Sequence, residues 1–346
     1  MRRLGYVPAL DGLRGIAIAA VIGEHFFALR GGFYGVDLFF VLSGFLITTL
    51  LLEENDRGRI HLRGFYERRA RRLLPALVAF LVVAALFGAR KYGVAHLSVL
   101  ISASLFYVGN LACFFRGDLM AGTPFGHLWS LAQEEQFYLV WPLLLIQLLR
   151  RFGERALLAV LAAAFVCLVA YTGALGAAGA GWHRLNFAPD THASGLVLGC
   201  AAALIRRRGS SVRGGAAALA LFVAAAALGA QTVAWSTVGL PVVEVACAVM
   251  VLAASQPGSF ARALSLRPLV YLGAISYSLY VWHYLIRWIY PNPGLGGIFP
   301  AFVSLVLTAL VQVRRAAFQA PACRRGARRA SAGGRSRRVG PGYEPW

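Results

Sequence analysis

Lysine is almost missing from this 346-residue chain: of 34 basic residues only Lys91 is a lysine, and the rest are arginine. Acidic residues are scarce as well, 14 against 34, which leaves a formal net charge of +20. Such a surplus raises the question of a nucleic-acid partner, but the arginines sit in short clusters between apolar runs. With no basic soluble domain to present them, a nucleic-acid-binding class is disfavoured. Cysteine is sparse, at positions 113, 167, 200, 247 and 323. These positions have neither metal-ligand nor disulfide-framework spacing, and read as small buried hydrophobes. The seven histidines also lack zinc-type spacing, so no metal is expected. A cleaved leader is not expected either: Arg14 interrupts the first apolar stretch, and no small-residue cleavage site follows it.

What the chain has is apolar length. Hydrophobic residues make up 59% and the mean hydropathy is +0.65, against about 45–50% apolar residues in soluble domains. Apolar segments run approximately over 8–29, 33–52, 73–90, 97–115, 128–149, 156–175, 189–205, 214–232, 238–254, 269–290 and 299–313. The pattern is that of an all-α polytopic membrane protein. Basic clusters occupy 2–3, 57–72, 150–155, 206–213, 262–267 and 314 onward. If every segment crossed, the clusters after 149 and 205 would face outward, against the preference of arginine for cytoplasmic loops. Segment 97–115 contains Asn110 and serines at 98, 102 and 104. If it alone fails to cross, every large cluster lies inside. The expected architecture is therefore about 10 transmembrane helices with both termini cytoplasmic, and 97–115 re-entrant or interfacial. Residues 1–313 form the membrane unit. Residues 314–346 form a basic, disordered cytoplasmic tail able to touch anionic lipid headgroups.

Charge inside these segments is costly and marks function. The first segment contains Arg14 and, eleven residues on, His25. At about 100° per residue both fall on one helical stripe, separated by about 16 Å along the axis. Asp11 could pair with Arg14. On these residues alone, a snorkelling arginine with a structural histidine is the favoured reading.

Five ordered stretches add to this: "ALDGLRGIAIAAVIGEHF" (9–26), "GGFYGVDLFFVLSGFLIT" (31–48), "FYERRARRLLPAL" (65–77), "HLWSLAQEEQFYLVWPLLL" (127–145) and "LGAISYSLYVWHYLI" (272–286). Together they resemble the acyltransferase-3 family of multi-pass membrane O-acyltransferases, in a form without a fused esterase-like domain. The resemblance covers roughly four fifths of the chain. It implies transfer of an acyl group, usually acetyl from acetyl-CoA, to a hydroxyl of a carbohydrate or similar acceptor in a bacterial plasma membrane. It also implies that His25 is catalytic. Acceptors in view are cell-envelope sugars, glycolipids and natural products. The oligomeric state is left open.

On this reading His25 is a general base or briefly carries the acyl group. Arg14, Arg69 and Arg72 are candidates to hold the phosphates of acyl-CoA. The separation of Arg14 from His25 approximates the reach of a pantetheine arm. In the ten-span topology Asp37, Glu134 and His283 share the outer level with His25. Glu134 is expected to orient His25 or bind the acceptor, with Ser130 and Tyr138 on its face and Glu135 incidental. Ser43 is expected to pack or bond back to its own helix. His127 is a weak acceptor-site candidate. At 188–200 the family pattern carries Arg and Asp where His192 and Ser194 stand, whereas Asp190 remains a cavity candidate. The competing class is a multi-pass transporter or flippase for a glycolipid or metabolite.

Overall fold

The computed structural model describes residues 5–116 and 119–291, and these are helical throughout, with no strand among them. The helices are α1 (Pro8–Phe27), α2 (Tyr34–Asp56), α3 (Leu62–Gly88), α4 (Val94–Leu105), α5 (Gly109–Arg116), α6 (Leu128–Ala177) and α7 (Trp182–Phe187). They continue as α8 (Ser194–Arg207), α9 (Gly215–Leu228), a π-helical turn (Trp235–Gly239), α10 (Leu240–Ala254), α11 (Ser259–Leu264) and α12 (Arg267–Ile289). Segment 299–313 and the basic tail 314–346 lie outside the described residues.

Among the described residues, five helices are long and apolar enough to cross a membrane: α2, α3, α6, the π-turn with α10 (Trp235–Ala254), and α12. The 50 residues of α6 exceed what one crossing needs. Gly153, with φ 66° and ψ 172°, breaks this helix and turns the chain back. The apolar side chains that point outward form stripes. On α3, Leu74, Val78, Val82 and Leu86 recur every fourth residue and are 39–69% exposed. A fully apolar outward stripe suits hydrocarbon rather than water.

Side-chain partners define two ends of the bundle. The last turn of α1 and the first turns of α2, α6 and α8 meet at one end, where His25, Asp37, His127 and His192 line a common cavity. The arginine clusters among the described residues gather at the other, where Arg207 bonds Asp56 and Glu154. The longer described helices run between these two ends. Of the expected crossings, about 10, the last, at 299–313, lies outside the described residues.

The segment at 97–115 does not form a single pass. It is split into α4 and α5 around Tyr107, whose φ is 53°. α3 finishes and α6 begins at the cavity end, where Tyr92 Oη donates to Gly122 O at 3.1 Å. Asn110, the polar break in the sequence, sits in α5 and exchanges hydrogen bonds with Gln136 on α6.

α1 and α12 run parallel in close contact, because both lack side chains where they meet. A Cβ on Gly273 would strike the carbonyl oxygen of Asp11, and one on Gly15 would strike that of Leu269. Backbone cannot swing aside as a side chain can, so small residues here set the separation. Gly273→Val is expected to force the helices apart, at about 1–3 kcal/mol or more. In detergent the thermal midpoint should fall by about 5 °C and the folded yield several-fold. Gly173→Val, with nothing near its added Cβ, is the control. Equal midpoints for the two variants would refute the seam.

Candidate active site

The α1 stripe predicted from helix periodicity is turned toward α12. Arg14 donates from Nη2 and Nε to Ser276 Oγ, at 3.3 and 3.4 Å. His25 meets His283 at a ring-centroid distance of 4.9 Å and Tyr284 at 5.2 Å. Both residues belong to one unbroken helix, so the separation of about 16 Å stands.

Three imidazoles cluster at the cavity end. His127 lies 5.4 Å from His283 and stacks on Tyr284 at 4.9 Å. Each histidine bonds a backbone carbonyl, which can only accept, so the bond fixes where the proton sits. His25 Nδ1 donates to Val21 O at 2.8 Å. His283 Nδ1 donates to Tyr280 O at 2.6 Å. His127 Nε2 donates to Val281 O at 3.1 Å. The second nitrogens of His127 and His283 are buried without a hydrogen-bond partner. His25 lines an open cavity of about 270 Å³, and its Nε2 is left as a basic lone pair. Ser130 Oγ and Tyr280 Oη bond each other, and Tyr280 Oη donates to His127 O at 2.8 Å, closing the group from behind.

Across the cavity, Asp37 Oδ1 and His192 Nε2 are 2.7 Å apart, at 1% and 3% side-chain exposure. His192 Nδ1 donates to Asn186 O at 2.8 Å. Beside them Ser194 Oγ donates to Glu244 Oε1 at 2.7 Å, whereas Glu244 Oε2 has no partner. The two residues that depart from the family pattern, His192 and Ser194, are thus the partners of two buried carboxylates. Glu244 was readable in "PVVEVACAVM" as an acid in an apolar helix, but its partner was not.

Glu134 belongs to a different neighbourhood from the one predicted. It lies seven residues along α6 from His127, about 10 Å toward the arginine end. It accepts hydrogen bonds from Ser43 Oγ and from Tyr138 Oη, the latter at 2.5 Å. Glu134 therefore does not orient His25; the Val21 carbonyl does. Ser43 likewise bonds across to α6 rather than back to its own helix. Tyr138 faces the arginines, with the Arg69 guanidinium 3.3 Å from its ring centroid. Arg69 pairs with Glu135 at 2.7 Å, so Glu135, expected to be incidental, holds this group. Arg72 lies within electrostatic reach of Arg14, Arg69 and Glu134. Arg14, Arg69 and Arg72 are thus brought together, at one level with Glu134, Glu135 and Tyr138.

Of the other candidates, Asp37 lines the cavity, and His283 and Ser130 stand behind it. Asp190 does not line it. It forms an ion pair with Arg184 at 2.5 Å on the surface, which raises the Arg184 pKa above its ordinary value through that hydrogen bond. Gln231, Tyr280 and Tyr284, which the sequence did not single out, and Glu24, to which it gave no role, all line the cavity. A second cavity, of about 510 Å³, opens at the arginine end beside Glu53, Asp56, Arg206 and Arg207. Arg14, Arg69 and Arg72 do not line it.

A family model described as an acyltransferase domain matches residues 7–312. The chain is 33% identical over 306 residues to peptidoglycan O-acetyltransferase OatA of Listeria monocytogenes, covering 81% of this chain and 49% of that protein. It is 34% identical over 335 residues to O-acetyltransferase OatA of Staphylococcus aureus, covering 88% and 55%. It is also 34% identical over 336 residues to putative peptidoglycan O-acetyltransferase YrhL of Bacillus subtilis, covering 88% and 52%. The chain spans about half the length of these relatives, and no solved structure matches it. With the model match over nearly its whole length and identities above 30%, the chain belongs to the acyltransferase-3 family.

Proposed function

We propose that this protein is a membrane O-acetyltransferase that moves acetyl from acetyl-CoA to a hydroxyl of a cell-envelope glycan, with peptidoglycan, the acceptor named for its relatives, as the leading candidate. The observation that carries the reading is His25. Its Nδ1 proton is committed to Val21 O, and its Nε2 remains basic beside a polar cavity. In the reaction, Nε2 takes the proton of the acceptor hydroxyl as that oxygen attacks the thioester carbonyl. The C–O bond forms, the C–S bond breaks, and the thiolate recovers the proton. A second route has Nε2 attack first and carry the acetyl group briefly. Positioned proton transfer of this kind contributes about 10²–10⁴-fold.

Arg14, Arg69 and Arg72 supply the charge for the CoA phosphates. Glu135 and Tyr138 hold the Arg69 guanidinium in place, and Ser276 holds that of Arg14. The distance from Arg14 to His25 lets one extended cofactor arm span both levels. The arginine clusters of the described loops, gathered at one end, favour about ten spans with both termini cytoplasmic, in a bacterial plasma membrane. A transporter reading has only the intramembrane charges in its favour.

The test is purified protein in detergent with acetyl-CoA and an N-acetylglucosamine oligomer. CoA thiol release and an acetyl gain on the oligomer, read by mass spectrometry, are expected. Acetyl found on no sugar in the presence of the oligomer would overturn the acceptor class. Intact mass of the protein after acetyl-CoA alone separates the two routes: an acetyl adduct on His25 supports the carrier.

A further inference from the structure

The cavity holds groups that the acyl-transfer step does not use. Trp129, Phe187 and Trp182 form a chain of edge-to-face aromatic contacts, with centroids 5.1 Å apart between Trp129 and Phe187 and 5.5 Å between Phe187 and Trp182. Trp129 continues this chain inward to His192 at 5.4 Å. All four residues line the cavity. Trp182 and Phe187 are only half-buried and come from α7, the short helix between the second half of α6 and α8. Rigid rings offer contact area at little conformational cost. Ring faces left partly open beside a polar cavity ask for a ligand that is apolar on one face and polar at its edge.

The polar edge is also present. Gln231 Nε2 donates to Glu24 Oε1 at 2.9 Å, and both residues line the same cavity. This bond pins the two side chains and leaves the Gln231 carbonyl and the second Glu24 oxygen as acceptors. Glu24 and His25 line the same cavity, so a hydroxyl or amide N–H held here shares that cavity with the base. The cavity, about 270 Å³, falls just below the roughly 300–1,000 Å³ usual for small-molecule sites. It suits one sugar ring with its neighbours running out over the rim.

Building on the proposed function, we propose that Trp182 and Phe187 form the stacking platform for one pyranose ring of the acceptor. The Glu24–Gln231 pair accepts hydrogen bonds from the edge of that ring, including the N–H of an N-acetyl group. Glu24 and Gln231 then choose the sugar, and α7 sets how a long glycan enters.

The test uses the full chain in detergent, in a His25→Ala background so that binding is read without chemistry, with chitotetraose as probe in calorimetric titration. Trp182→Ala is expected to weaken binding at least tenfold, and Trp182→Tyr to recover it to within threefold. Gln231→Ala should weaken it severalfold. With His25 restored, Trp182→Ala should raise KM for the oligomer at least tenfold, well beyond any change in kcat. Phe187→Leu serves as the second platform variant if Trp182→Ala fails to fold. The proposal is overturned if the His25→Ala protein binds no chitotetraose, or if the platform variants bind it within twofold of their parent. If chitotetraose binds in a Trp182-dependent way but no acetyl is transferred, the platform stands and the proposed reaction falls.

Discussion

His25→Ala is expected to reduce acetyl transfer by about 10²–10⁴-fold while the protein still inserts and runs as a single species in size exclusion. The side chain is partly exposed to the cavity, and its one hydrogen bond is to Val21 of its own helix. Deleting it breaks no bond between helices, so the loss should lie in kcat rather than in folded yield. His283→Ala provides a contrast. That ring is fully buried and packs against both His25 and His127. Its removal opens a cavity and lowers the thermal midpoint as well as the rate. A His25→Ala protein that keeps more than a tenth of wild-type kcat would remove the histidine from the chemistry.

The largest stability effect is expected at Asp37 and His192. Both are almost wholly buried, and each is the other's polar partner at 2.7 Å. Taking one partner from a buried pair strands the other and costs about 3–5 kcal/mol. Asp37→Ala should therefore lower the thermal midpoint in detergent by about 10 °C. Replacing both residues with leucine removes the stranded group. Such swaps are often neutral, so Asp37→Leu/His192→Leu should regain at least half of the loss. Activity should not return, because the pair also lines the cavity. A double variant less stable than Asp37→Ala would mean that the pair holds α2 to α8 by geometry no apolar residue can supply.

Much of this arrangement was legible in the sequence, for identifiable reasons. The helical period alone put Arg14 and His25 on one stripe, and both turn to α12. The polar residues in 97–115 announced a segment that does not cross, and the chain turns back there. The family motifs located the late histidine, now seen as His283. What failed was lateral: depth along a helix is readable, but the neighbouring helix is not. Glu134 and Glu135 are adjacent in sequence, so about 100° separates their side chains. Only packing reveals that one receives Ser43 and Tyr138 while the other receives Arg69. Asp190 kept a familiar motif position yet bonds Arg184 at the surface. His192, which looked like a departure, became the partner of Asp37. In each case the deciding contact spans a long stretch of chain, and its residue types fit several partners equally well.

The glycine seam between α1 and α12 has a consequence for biosynthesis. α1 is among the first segments to leave the ribosome, yet His283 and Tyr284 follow it by roughly 250 residues. At about 5–20 residues per second that is a wait of tens of seconds. Throughout it, α1 carries an arginine and a histidine with no α12 to cover them. A bare helix of this kind is a natural client for the insertion machinery, which must shield it until its mate is delivered. On the proposed mechanism, Arg14 and His25 gain Ser276, His283 and Tyr284 only when α12 docks, so a chain terminated before α12 would lack the assembled site.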